Sequence, residues 1–165
     1  MVSRVKSAGL EGVNGYRIDV EVDVSQGLPS FDIVGLPDTA VRESRERVRA
    51  SIKNCGFDFP ARRITVNMAP ADKKKEGPLY DLPIFIAILA ATEQLRADLR
   101  EYAFIGELSL GGEIRPVRGV LPIVLALRDS GVRHVFLPRE NAAEAGVAGG
   151  ARLAGDRSRA RHPAH

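Results

Sequence analysis

With 165 residues, 44% of them hydrophobic and 27% charged, the chain has apolar material for one sizeable core, which excludes a disordered polymer. A single cysteine, Cys55, excludes an internal disulfide and a cysteine-based zinc site, and fits a reducing cytoplasm. The net charge of +3 equals that of residues 152–165 alone, where Arg152, Arg157, Arg159 and Arg161 face only Asp156, so residues 1–151 are balanced and the basic excess is weak evidence for nucleic acid.

In chain order, residues 2–10 and 16–24 predict two strands around a Gly12-Val13-Asn14-Gly15 turn. The second alternates Ile18, Val20, Val22 and Val24 against Asp19, Glu21 and Asp23, the period of a half-exposed strand. Gly27-Leu28-Pro29 turns the chain into a third strand, residues 31–34, and links this short predict antiparallel pairing. Gly35-Leu36-Pro37-Asp38 breaks that strand, with Asp38 placed to cap a helix over residues 39–54 that Gly56 ends. The expected apolar seam is Val41, Val48, Ile52 and Cys55. On a neighbouring face Arg42, Arg45, Arg49 and Lys53 recur at helical spacing, a row suited to tracking a phosphate backbone. Glu43, four before Arg47, and Glu46, three before Arg49, equally suit an ordinary solvated face laced with compensating pairs.

Residues 63–68 turn Ile64, Val66 and Met68 inward as a fourth strand and lead into MAPADKKKEGPLYDLPIFIAIL, residues 68–89. Asp81 is expected to cap a helix over residues 82–94, with Pro83 in its first turn. Lys73, Lys74 and Lys75 precede a helix N-terminus whose free N–H groups favour anions, which suits a phosphate or a carboxylate; a solvated lysine-rich loop has the same spacing. The helix is apolar nearly all round and must lie between layers. It falls well short of the roughly 20 apolar residues of a membrane span, and the first twelve residues lack the apolar core of a secretion signal, so a cytoplasmic protein with no membrane partner is expected.

Gly111-Gly112 predicts a two-residue hairpin between residues 104–110 and 113–117. Gly119 and Pro122 introduce a helix over residues 120–130 closed by Gly131, residues 132–137 form a buried strand, and Asn141 with Glu144 resembles a capping box. The pattern dissolves after Gly149-Gly150, giving one α/β domain, residues 1–150, and a basic tail, residues 151–165, expected to be disordered. Neither G-x-x-x-x-G-K-[ST], G-x-S-x-G nor H-E-x-x-H occurs, and no G-x-G-x-x-G follows a strand. His134, His162 and His165 have no paired-ligand spacing, so no cofactor or metal site is expected.

Three stretches become specific when taken together: FDIVGLPDTAVRESRERVRASIKNCGFDFP (residues 31–60), RRITVNMAPADKKKEGPLYDLPI (residues 62–84) and FIGELSLGGEIRPVRGVLPIVLALRDSGVRHVFLPRENAAEA (residues 104–145). They resemble the N-terminal region of the magnesium-chelatase-like AAA+ ATPases of the YifB/ComM type. The resemblance implies an α/β (α+β) fold similar to the Lon proteolytic domain, ribosomal protein S5 domain 2-like, with a mixed sheet and packed helices. In that family an ATPase module follows, and ATP and magnesium are expected only for that module, whose phosphate loop this chain lacks. Hexameric assembly and DNA branch migration in competence are likewise implied for full-length relatives.

Lon-type proteases use a Ser-Lys dyad. Set against their D-G-P-S-A-G, the stretch from Glu76 to Asp81 puts Leu79 at the serine, and the helix after Pro116 puts Ile123 at the lysine, so the resemblance implies no peptidase. The leading expectation is a non-catalytic accessory domain for assembly or for substrate and DNA contact without sequence preference, through Lys73, Lys74 and Lys75 and the row Arg42, Arg45, Arg49 and Lys53. The alternatives are a hydrolase or phosphotransferase using the lysine loop with Asp72 or Glu76 as base, and an inactive truncated fragment.

Overall fold

A computed structural model describes residues 1–146 and 152–153. Strands β1 (Val2–Glu11) and β2 (Asn14–Ser25) pair antiparallel, with Val5 opposite Val20 and Glu11 opposite Asn14, so Gly12 and Val13 alone make the turn. The alternation in β2 is obeyed: Ile18, Val20, Val22 and Val24 are buried, while Asp19, Glu21 and Asp23 reach the half-exposed face.

Strand β3 (Ser30–Val34) departs from the expected antiparallel return. Helix α1 (Thr39–Asn54) carries the chain across, and β4 (Arg63–Ala69) takes the edge of β2 antiparallel, from Asp19 opposite Ala69 to Ser25 opposite Arg63. Outside β4 lies β3, parallel to it, with Phe31 beside Ile64. A helix-length link permits parallel neighbours, and β4, with Ile64, Val66 and Met68 wholly buried, suits the interior place better than β3, whose Asp32 and Val34 are exposed.

The remaining elements are α2 (Asp81–Ala91), β5 (Tyr102–Phe104), β6 (Glu107–Leu108), β7 (Ile114–Arg115), α3 (Val120–Asp129), β8 (His134–Phe136), a 3-10 turn (Arg139–Asn141), α4 (Ala142–Gly146) and β9 (Arg152–Leu153). The main sheet runs β3-β4-β2-β1-β5-β8-β9, and β5, β8 and β9 continue parallel to β1. Thus the fold is mixed α/β. Strand β9 falls in the stretch assigned to the tail; residues 147–151 and 154–165 lie outside the described residues. The glycine pair is not a two-residue hairpin. It sits in a longer turn closed by Ser109 and Glu113, and the β6-β7 ribbon it joins is separate from the main sheet.

Helices α1 and α2 cover the face of Val5 and Val20, and α2, apolar all round, is buried as expected; Ile84 and Ile88 each contribute about 1.5–3 kcal/mol by burial. On the opposite face α3 packs Val120, Ile123, Val124 and Leu127 against Ala8, Ala103, Ile105 and Val135. Gly15 lets α3 approach: a Cβ there would stand 2.2 Å from the Pro122 carbonyl oxygen. Cys55, expected in the seam of α1, is exposed, because it follows the last helical turn as the C-cap. Among the described residues no helix is long and apolar enough to cross a membrane.

Candidate functional site

Asp38 does cap α1, accepting from the Val41 amide at 2.7 Å. Asp81 does not cap α2. It lies inside the first turn, fully buried, and its carboxylate accepts from Ser44 Oγ, from Arg47 Nε at 2.6 Å and Nη2 at 3.1 Å, and from the Leu108 amide at 3.0 Å. Burial works against the Arg47 charge, but the hydrogen bond and the charge of Asp81 outweigh it and hold its pKa above the ordinary value. Asn141 and Glu144 likewise form no capping box. Asn141 instead brackets Val117, accepting from its amide and donating to its carbonyl, each at 2.9 Å, while Glu144 accepts from the Leu121 amide at 3.3 Å.

The three lysines of the loop after β4 diverge. Lys75 is wholly buried, and its Nζ donates to the carbonyls of Gly35, at 2.7 Å, and Pro70. Its backbone donates to Leu36 and accepts from Asp38, so it stitches the loop to the segment entering α1. Burial lowers the Lys75 pKa, and the charge of Asp72 opposes that shift. Lys73 turns instead to Glu11, at 3.4 Å, and lies over the Tyr16 ring. Lys74, exposed, stands 3.7 Å from Glu76. The amide of Leu82 at the start of α2 already donates to Gly106 O at 3.0 Å, and the Asp81 carboxylate lies in the same turn. Among the described residues the three ammonium groups therefore turn to three different sets of partners.

The α1 row divides. Arg45 folds back to the carbonyls of Arg42 and Phe31, whereas Arg49 and Lys53 line a cavity of about 250 Å³ together with Arg62, Phe31 and Phe59. Arg49 lies over the Phe59 ring, 5.4 Å from its centroid, and 3.3 Å from Glu46. Arg62 and Phe59 were missed by sequence reasoning; the only signal was the basic pair Arg62-Arg63 after Pro60, and it acquires meaning only when Ser30 N bonds Arg62 O and brings that segment beside β3.

A larger cleft, about 520 Å³, opens where the end of β1, the loop before α2 and the start of α3 meet. Leu79 and Ile123, the two positions matched to the dyad, both line it. Leu10 and Val117 extend the apolar wall, and Asp38, Glu76, Glu107 and Arg118 supply its charges. His134 lies elsewhere, stacked on Tyr102 with ring centroids 4.8 Å apart. Among the described residues no cluster of His, Cys, Asp and Glu is arranged to hold a metal ion.

Comparison with known proteins agrees with this architecture. Residues 20–141 match the family model described as subunit ChlI of Mg-chelatase. YifB of Salmonella typhimurium is 50% identical over 137 residues, covering 82% of this chain and 27% of the relative. The competence protein ComM of Haemophilus influenzae is 46% identical over 144 residues, covering 87% and 28%. Lon protease of Mycolicibacterium smegmatis is 28% identical over 138 residues, covering 79% of this chain and 17% of that enzyme. The chain thus spans less than a third of the length of these relatives. With the family model matched across most of the domain and the Lon similarity beneath it, the chain belongs to the magnesium-chelatase-like family that includes YifB and ComM.

Proposed function

We propose that this chain is a non-catalytic contact domain, a protease-shaped scaffold that serves assembly or substrate and DNA contact for a magnesium-chelatase-like ATP-driven motor. One observation carries the reading: Leu79 and Ile123 meet in a single cleft, with hydrocarbon where a dyad needs a hydroxyl and an amine. Neither side chain can act as a nucleophile or a base. ATP and magnesium chemistry belongs in this account to the motor module, as do hexamer formation and branch migration, and the single thiol of Cys55 suits the cytoplasm.

Contact with DNA is supported by the competence role in the name of the ComM relative and by the basic cavity. Arg49, Lys53 and Arg62 neutralise phosphates there. The phosphotransferase alternative needs three ammonium groups on one anion, and Lys73, Lys74 and Lys75 point three ways. Filter binding of single-stranded DNA at low and at high salt tests the DNA contact. Binding at about 50 mM salt that falls steeply by about 200 mM, and that weakens when Arg49, Lys53 and Arg62 are all changed to Ala, is the expected result. No retention at low salt would remove DNA from the account.

A further inference from the structure

The cleft between Leu79 and Ile123 has a chemistry that a general contact role leaves unassigned. Its volume of about 520 Å³ lies within the roughly 300–1,000 Å³ of sites that enclose a ligand. Leu10, Leu79, Val117 and Ile123 give the lining an apolar part, and Asp38, Glu76 and Glu107 give it an acidic one. Asp38 is already committed, its two oxygens accepting from the amides of Val41 and Gly77. Among the described residues the other two carboxylates have capacity left: Glu76 has an exposed pairing with Lys74 at 3.7 Å, and Glu107 acts on Arg47 through space. Among the described residues Arg118 is the single cation of the lining.

We propose that this cleft docks, without cutting, an extended peptide segment in which one Lys or Arg stands between apolar side chains. The inference rests on the contact-domain reading and names the class of partner at the cleft. Apolar side chains of the segment lie against Leu79 and Ile123, losing water at both surfaces. Its basic side chain reaches Glu76 and Glu107 through charge-assisted hydrogen bonds, roughly twice as strong as neutral ones. The same carboxylates repel an acidic segment, and among the described residues of the lining a phosphate finds only Arg118. Peptide and nucleic acid are therefore sorted to different ends of α1, whose 16 residues span roughly 24 Å: Asp38 of the cleft precedes its first turn and Lys53 of the basic cavity lies in its last.

The test is fluorescence anisotropy of the chain with a labelled, end-capped peptide, Ala-Leu-Arg-Leu-Ala, and with its twin carrying Glu at the centre. Saturable binding of the Arg peptide is expected, with the Glu twin about tenfold weaker or more, and a loss of similar size when Glu76→Gln and Glu107→Gln are combined. Because the twin comparison uses the unsubstituted chain, it stands even where the double variant fails to fold. Equal binding of the twins, or no binding of either at millimolar concentration, overturns the proposal. Mass spectrometry of the recovered peptide separates the two levels of the account. A bound and intact Arg peptide supports both, and an unbound, intact one removes the docking proposal while leaving the contact-domain reading in place. A cut peptide overturns both.

Discussion

Arg47 on α1 and Asp81 in the first turn of α2 form a two-pronged ion pair, at 2.6 and 3.1 Å, with the carboxylate wholly shielded from solvent. Through Ser44 and the Leu108 amide the same carboxylate fixes α1, α2 and β6 to one another. It therefore sets the relative positions of the elements that carry Asp38, Leu79 and Glu107 into the cleft. Asp81→Ala is expected to cost about 3–5 kcal/mol, because it strands the Arg47 charge and two further donors, the Ser44 hydroxyl and the Leu108 amide. Glu43→Ala, which removes only an exposed partner of Arg47 at 3.8 Å, should cost less than about 1 kcal/mol. Urea midpoints for the two variants test the contrast.

The lysine loop yields a second contrast within one run of identical residues. Lys75→Met keeps the buried stem but leaves the carbonyls of Gly35 and Pro70 without their donor, a loss of about 1–3 kcal/mol. Lys74→Met, at an exposed position, should change stability by less than about 0.5 kcal/mol. Limited proteolysis is expected to cut the loop between Pro70 and Pro78 faster in the Lys75 variant and at an unchanged rate in the Lys74 variant.

Stability at alkaline pH follows from two buried groups of opposite sign. Burial raises the Tyr80 pKa, so above about pH 10 the unfolded chain loses a phenolic proton that the folded chain retains, and stability falls with pH by up to roughly 1.4 kcal/mol per unit. Burial lowers the Lys75 pKa, so between that lowered value and about 10.4 the unfolded chain binds more protons and stability rises with pH. Tyr80→Phe should flatten the alkaline fall, leaving the smaller contribution of Tyr16, whose pKa burial also raises. Thermal midpoints from pH 8 to 11 for the chain and the variant would show the divergence beginning near pH 10; parallel curves would contradict it.

Much of the fold was legible because burial imposes a period. The alternation in β2 and β4, the Asp38 cap and the all-apolar α2 were read from residues whose local pattern already states which side faces the core. The outer position of β3 was not legible, since its neighbour is chosen by a helix crossover and not by the turn that precedes it. Asp81 misled because an N-cap and a buried first-turn carboxylate share one sequence signature, and only the partners Ser44 and Arg47 distinguish them. Charge runs hid the most: nothing in Lys73, Lys74 and Lys75 says which turns inward, and nothing in the α1 row says that Arg49 and Lys53 meet Arg62 across a gap in sequence.

The claim at the centre is that the scaffold grips polypeptide or nucleic acid and leaves it whole. Incubating the purified chain with a pool of unfolded casein peptides and counting new termini by mass spectrometry tests it most directly. No new termini above the protein-free control is the predicted result. Termini that accumulate in proportion to the chain, and disappear when Leu79→Asp closes the cleft to apolar side chains, would contradict it.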